Sequence, residues 1–289
     1  MHSADIRRKL DHLSQLRNSR PRLPIAARPH RRYETLAERK DATLSDIVTA
    51  AMMVIGDEIL SGRTKDRNIG HLADVMTAIG IDLKEVRIVA DEEDEIAAAV
   101  NALRARYTYV FTTGGIGPTH DDITADSIAK AFGVPCDYDP KAYRMLEESY
   151  AARGLEYTEA RKRMARMPVG AAHIDNPISL APGFRIGNVH VMAGVPAIFQ
   201  AMLDNVVPTL KGGAVMLSET VHCPYGEGTI GTQLGEIQKA NPDTIIGSYP
   251  KYLDGKFWTE LVVRSRSAES LAKAKAEVEA MLAAIAAKA

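Results

Sequence analysis

The feature that most constrains this chain is a change of period that repeats: an apolar run of strand length, a polar loop, then apolar residues at helical spacing. The run "DIVTAAMMVIG" reads as a strand buried on both faces that ends at Gly56. In "DRNIGHLADVMTAIG" the positions Ile69, Leu72, Met76 and Ile79 fall on one helical stripe, and Gly80 supplies a left-handed C-terminal residue. A strand over Asp82 to Ala90 follows, Asp91 or Asp94 is expected to cap the helix through "IAAAVNALRAR", and "YTYVFTT" reads as another buried strand. Strand, loop and helix in this order predict an α/β sheet with helices on both faces. In such sheets ligands lie beyond the carboxyl ends of strands, where "GDEILSG" and "GGIGPTHDD" both fall.

Farther along, Asp139 before Pro140 marks a helix start, and that helix is expected to run to Gly154. A short helix from Thr158 through "EARKRMA" carries Arg161, Lys162, Arg163 and Arg166, read as a solvated basic face. "NPISLAPGF" is a turn-rich loop, "VHVMAG" a short strand, and "PAIFQAMLDNVVPTL" a helix opened by Pro196. "LKGGAV" reads as a break. Beyond it, strand, helix, strand, strand and helix predict a small α+β unit whose last helix packs through Leu271, Ala274, Val278 and Leu282. The expected division is a basic arm over 1–44, an α/β domain over 45–210 and a small α+β subdomain over 211–289.

Composition narrows the class. The 289 residues, 46% of them hydrophobic, suffice for a large core. The formal net charge is -1 and no run of eighteen apolar residues occurs, so a polyelectrolyte or a membrane-spanning chain is not expected. Cys136 and Cys223 stand far apart, which argues against a disulfide framework and a thiolate zinc site and fits a reducing cytoplasm. Met1 to Lys40 carries eleven Arg and Lys against four Asp and Glu and is broken by prolines at 21, 24 and 29. It reads as a solvated arm with one short helix near Ala4 to Leu16, rather than as a nucleic-acid or anionic-surface contact. Asp5, Asp11 and Glu34 interrupt the pattern of an organellar presequence.

The segment "TTGGIGPTHDDITADSIAKAFG" carries the chemistry. On one reading it is a turn and a helix start: Thr119 caps the amide near Asp122, Asp122 answers the Thr119 amide, and the glycines make the turn. That reading leaves Asp121 beside Asp122 and near His120, with Asp126 one turn on, without a purpose. Crowded aspartates resist desolvation unless a cation neutralises them, and magnesium retains waters that substrate phosphates replace. Gly114, Gly115 and Gly117 let phosphate approach backbone N-H groups at a helix start. No Walker loop and no GxGxxG pattern is present. The residues alone leave turn and phosphate pocket both open. His120 is a phosphate donor, a proton carrier or a loop-orienting residue. His222 and Cys223 alternate along a strand and so make no dyad, Cys136 reads as structural, and Trp258, Tyr249 and Tyr252 read as packing within the small unit rather than as a ligand wall.

The segments "VIGDEILSGRTKDRNIGHLADVMTAIGI", "FTTGGIGPTHDDITADSIAKAFG", "NPISLAPGF" and "AGVPAIFQAML" resemble the successive signatures of the molybdopterin-binding domain family, in its competence and damage-inducible branch. The amino-terminal domain of eukaryotic FAD synthases is similar too, a comparison favoured by "GSYP" at Gly247 to Pro250. The resemblance spans Ile47 to about Leu210 and, more loosely, the chain to Val263. It implies a three-layer α/β fold, a pocket for pterin or nucleotide phosphates, and a divalent-metal-dependent pyrophosphatase acting on ADP-ribose, FAD or similar dinucleotides. The alternative is a molybdopterin- or nucleotide-binding module without hydrolysis.

By position, the resemblance assigns ligand binding to Gly56, Asp57, Glu58, Arg67, Asn68, Thr113, Gly114, Gly115, Gly117, Pro118, Thr119, Gly194 and Pro196. It assigns catalysis to Asp121, Asp122 and His120, and magnesium or another divalent cation to Asp57, Asp121 and Asp122. It also implies a homo-oligomer. Four positions depart from the family pattern: Arg67 replaces a small threonine, Arg161 and Met164 stand where asparagine and glutamine are usual, and Ala193 replaces a proline. No amidase-like or adenylyl-transferring segment follows, so nicotinamide mononucleotide deamidation and FAD synthesis are not expected of this chain.

Overall fold

The computed structural model describes residues 47–287. The basic arm and its expected helix lie outside the described residues.

Strand β1 (Val48–Ile55) is central because both of its faces are apolar. Ala50, Met52 and Val54 enter one core, and Ala51, Met53 and Ile55 the other. Strands β2 (Ile81–Val89) and β3 (Tyr109–Thr113) flank it in parallel. The two-stranded pair β4 (Cys136–Tyr138) and β5 (Arg166–Pro168) is antiparallel and stands apart from this sheet. The main sheet continues through β8 (Val189–Met192), parallel to β3, and then through antiparallel β7 (Gly183–Ile186) and β6 (Ala172–Ile174). Its order is β2-β1-β3-β8-β7-β6.

Helices cover both faces and make three layers. A single turn, α1 (Asp57–Leu60), leaves β1. Helix α2 (Asn68–Ala78) buries Leu72, Val75 and Met76 in the first core. Helices α3 (Glu93–Arg104), α4 (Thr124–Phe132) and α5 (Pro140–Ala152) close the second core with Ile96, Val100, Ile128 and Leu146. The short α6 (Glu159–Lys162) leads into β5 through a 3-10 turn, and α7 (Pro196–Val206) brings Phe199, Met202 and Leu203 to the first core beside α2. The expected cap at Asp139 is present, its carboxylate accepting from the amides of Lys141 and Ala142.

Two local expectations are corrected. The residue capping α3 is Glu92, without a side-chain bond, because the Asp91 carboxylate turns instead to the Asp57 amide at 2.9 Å. Helix α4 begins at Thr124 rather than near Thr119. The Asp122 carboxylate does accept from the Thr119 amide at 2.8 Å, but the Thr119 hydroxyl donates to that same carboxylate instead of accepting from the Asp122 amide. The glycine loop must first fold back so that the Thr124 amide reaches the Gly115 carbonyl at 3.0 Å.

The remaining α+β elements are β9 (Leu217–Cys223), α8 (Glu227–Ala240), β10 (Ile245–Leu253), β11 (Lys256–Ser265) and α9 (Ala268–Ala286), with sheet order β10-β11-β9. Val221, Cys223, Leu261 and Val263 meet Ile230, Leu234, Leu271, Ala274 and Val278 in a third core, while His222 faces out. Met281 rather than Leu282 completes the buried stripe of α9. The "LKGGAV" break is seated against the main sheet. Gly80 has φ 75°, and a Cβ there would lie 2.2 Å from the Gly213 carbonyl oxygen. Arg266 joins Asp82 at 2.6 Å and donates to the Ala214 carbonyl at 3.1 Å. No helix among the described residues is long and apolar enough to cross a membrane.

His190, on β8, is 2% exposed, stacks on Phe111 with ring centroids 5.2 Å apart, and has no hydrogen-bond partner for either ring nitrogen. Burial, with help from nearby Arg185, lowers its pKa to about 4 from 6.5. Below pH 6.5 the unfolded chain takes up a proton that the folded chain refuses, so stability falls as the pH drops toward 4 and levels off beneath it. Urea denaturation is expected to show a loss on the order of 2 kcal/mol at pH 5 that His190→Phe abolishes. An equal loss in that variant contradicts the assignment.

Candidate functional site

The site begins where three strand ends meet. Gly114, just past β3, has φ 107°, donates to the Met192 carbonyl at 3.2 Å, and leaves no room for a side chain: a Cβ would stand 2.2 Å from the Ile55 carbonyl oxygen. Gly115 has φ 66°, and a Cβ would meet the Thr124 Oγ1 at 2.2 Å. That hydroxyl donates to the Gly114 carbonyl at 3.0 Å. The chain is thereby turned so that its carbonyls are used and its amides are not. The backbone N-H groups of Gly115, Ile116 and Gly117 have no acceptor among the described residues, and neither do those of Ala125 and Asp126 in the first turn of α4.

These five residues line one cleft with Asp122, Arg163, Met164, Arg166, Pro182 and Phe184. It opens to solvent. Three charged contacts set its electrostatics. The Asp122 carboxylate is held by the Thr119 amide at 2.8 Å and the Thr119 hydroxyl at 2.5 Å. Arg166 forms a two-pronged pair with Asp126 at 2.8 and 2.6 Å, which neutralises both. Arg163 donates to the Asp122 carbonyl at 3.1 Å, its Nε is buried without an acceptor, and no carboxylate pairs with it among the described residues. The cleft thus brings unused backbone amides, the start of α4 and the Arg163 guanidinium together with the Asp122 carboxylate.

The second acidic loop stands elsewhere. Gly56 ends β1, and the exposed Asp57 and Glu58 begin α1. Asp91 accepts the Asp57 amide, and its carboxyl is pushed up by burial, against that hydrogen bond, and further by the charges of Asp57, Glu58 and Asp121. The four carboxylates therefore share one electrostatic neighbourhood. Among the described residues, however, no three His, Cys, Asp or Glu side chains are arranged to hold a metal ion. Asp122 is engaged by the amide and hydroxyl of Thr119, and hydrogen bonding from Thr119 also holds the exposed Asp121 carboxyl below its usual range.

Of the residues expected from the sequence, Gly115, Gly117 and Asp122 line the cleft. Gly114, Asn68, Thr113 and Gly194 build its floor: the Asn68 amide group donates to the Thr113 hydroxyl and the Gly194 carbonyl, both at 2.9 Å, and Thr113 donates to the Ala193 carbonyl at 2.9 Å. A Cβ on Gly194 would lie 3.3 Å from the Gly114 Cα. Pro196 opens α7. Gly56, Asp57, Glu58, Arg67, Pro118, Thr119, His120 and Asp121 do not line the cleft, and His120 and Arg67 are exposed. Arg67 makes no cap for α2; Asp66 accepts the amides of Asn68 and Ile69 instead.

Sequence reasoning missed Arg163, Arg166, Asp126 and Asp91. Arg161, from the same basic group, does lie on the outside, with its guanidinium 4.6 Å from the Tyr150 ring. The usable signal for Arg163 and Arg166 was their spacing of three with Met164 between them, beside a position already known to depart from the family pattern.

Residues 51–212 match a family model described as a probable molybdopterin binding domain, and residues 215–288 match one described as the middle domain of FAD synthase. A protein of Pyrobaculum arsenaticum is 38% identical over 211 residues, which cover 70% of this chain and 80% of that one. A protein of Saccharolobus solfataricus is 37% identical over 210 residues, covering 70% and 77%. Among solved structures, the protein CinA of unknown function from Thermoplasma acidophilum is 31% identical with a TM-score of 0.53, covering 57% of this chain and 99% of its own.

The glycines of the loop should separate by substitution. Gly115→Ala places a Cβ at positive φ against Thr124, so its melting temperature is expected to fall by roughly 5 °C or more. Gly117→Ala meets only the movable Asp122 carboxylate, at 2.7 Å, and should fall by much less. Equal losses in thermal melts contradict this reading of the turn.

Proposed function

Because the chain belongs to the molybdopterin-binding domain family, we propose that the glycine-loop cleft holds the phosphate end of a pterin or nucleotide ligand. The observation that carries this reading is the set of five unused backbone amides converging on a cleft with one unpaired arginine. A phosphate there receives hydrogen bonds from Gly115, Ile116 and Gly117, the field of the α4 terminus, and charge from Arg163. Thr119 holds the Asp122 carboxylate beside Gly117, a like charge that Arg163 and the amides have to outweigh. Met164, Pro182 and Phe184 supply an apolar wall for the ring or ribose end. The other expected ligand contacts act from beneath: Asn68, Thr113, Gly114 and Gly194 hold the loop at its distance from the sheet. We extend the proposal to a cytoplasmic homo-oligomer whose residues 45–210 bind the ligand and whose residues 211–289 form a separate α+β unit.

A second reading, hydrolysis of a diphosphate such as ADP-ribose or FAD, draws on the shared neighbourhood of Asp57, Glu58, Asp91 and Asp121. Magnesium does not fit a ready-made set here, because Asp57, Asp121 and Asp122 do not converge as three ligands. No hydrolytic step is therefore derived through it, and the binding reading stands first.

Titration calorimetry with ADP, FAD and ADP-ribose tests both readings. Arg163→Ala is expected to weaken binding about 10- to 100-fold while keeping a cooperative thermal melt, as loss of a charge-assisted phosphate contact requires. Binding unaffected by that change places the phosphate elsewhere. Magnesium-dependent release of nucleotide monophosphate, lost in Asp121→Asn, would instead promote the hydrolytic reading.

A further inference from the structure

Strand β2 is the edge of the main sheet, and no described strand pairs with its outer side. It is nine residues long, the kind of edge that natural sheets cover, shorten or charge. Its first residues are covered: Asp82 is held by Arg266, and an irregularity in the register with β1 falls at Lys84. The segment from Lys84 onward is bare, and on it Val86 and Ile88 are 37% and 41% exposed.

The backbone fixes which groups this edge presents. The Val89 carbonyl accepts the Gly56 amide, so Val89 points its peptide groups toward β1. Along a strand those directions alternate, so Arg87 and Glu85 also point inward, while Ile88 and Val86 offer their N-H and C=O groups outward. A second β2 pairing antiparallel about a two-fold axis is centred on an inward residue, where Arg87 would face Arg87 or Glu85 would face Glu85, or on an outward one. Centring on Ile88 sets Glu85 opposite Asp91, two like charges, and centring on Lys84 sets the two lysines face to face. Centring on Val86 sets Val86 against Val86, and Glu85 of each copy directly opposite Arg87 of the other. Residues 85 and 87 then form non-hydrogen-bonded pairs, in which facing side chains approach most closely. Within one chain Glu85 already takes Arg87 at 2.6 Å, Arg106 at 3.4 Å and the Tyr107 hydroxyl at 2.6 Å, so the dimer contact joins two such groups. On the face opposite Glu85 and Arg87, Val86 meets Val86 of the other copy and Ile88 stands opposite the stem of that copy's Lys84.

We propose that β2 is the homodimer interface of this protein, joining two six-stranded sheets antiparallel about a two-fold axis at Val86. The interface is isologous and self-limiting, since each copy has one such edge and the pairing consumes it.

Sedimentation equilibrium on the full chain tests this, with circular dichroism melts as the folding control. The wild type is expected at twice 31.4 kDa. Val86→Pro removes an outward N-H that β1 does not use, so it should leave a folded protein that dissociates at least ten-fold more readily. Arg87→Glu sets like charges opposite each other and should do the same, whereas the double change Glu85→Arg with Arg87→Glu restores complementarity and the dimer. A wild-type monomer overturns the proposal. So does a dimer indifferent to Val86→Pro, or a charge-swapped variant no better than Arg87→Glu alone, provided each melts cooperatively.

Discussion

The approach of Gly114 to the Ile55 carbonyl is the constraint on which the rest of the site depends. With no Cβ between them, the end of β3 lies against the end of β1, and the Gly114 amide reaches across to Met192 at the end of β8. Three adjacent parallel strands thus finish at one level. The chain leaving that junction can turn only by using positive φ at Gly115 and by giving two carbonyls to Thr124. With the Gly114 and Gly115 carbonyls given to Thr124, the N-H groups of Gly115, Ile116 and Gly117 are left without an acceptor among the described residues. The feature that makes the fold close is therefore the one on which the proposed binding of a phosphate rests.

Polar groups under the loop stiffen it. Asn68 spans from the start of α2 to β3 and to the turn after β8, so three segments far apart in the chain are tied within one buried hydrogen-bond group. Rigid support of this kind lowers the entropy lost when a ligand binds. Across the cleft the Arg166–Asp126 pair neutralises its own charges and leaves Arg163 as the unpaired cation. The charged side chains of the cleft thus balance, Arg163 and Arg166 against Asp122 and Asp126, and its surplus of donors comes from the backbone.

Much of the fold was legible because it follows from local pattern. The all-apolar β1, the stripe of α2, the Asp139–Pro140 start of α5 and the order of the last five elements can each be read from a dozen residues or fewer. The start of α4 was not legible, because it depends on how far the glycine loop must travel to meet carbonyls of other strands. Asp91 looks like a helix cap in sequence and is spent instead on an amide of the neighbouring loop, a partner 34 positions away. Arg163 and Arg166 look like a solvated face until β5 pairs with β4 through Arg166 and Tyr138, which turns that segment toward the cleft. The family resemblance pointed to the glycine loop, of which Gly115, Gly117 and Asp122 line the cleft. It also suggested a three-carboxylate metal set that the described residues do not assemble.

The most direct test of the central claim is to follow the backbone amide resonances of Gly115, Ile116 and Gly117 by nuclear magnetic resonance while ADP is added. The account predicts saturable downfield shifts of these three amides, together with that of Ala125, as phosphate oxygens take up their free N-H groups. Saturable shifts confined to Asp57, Glu58 and Asp91, with the glycine loop unmoved, would contradict it.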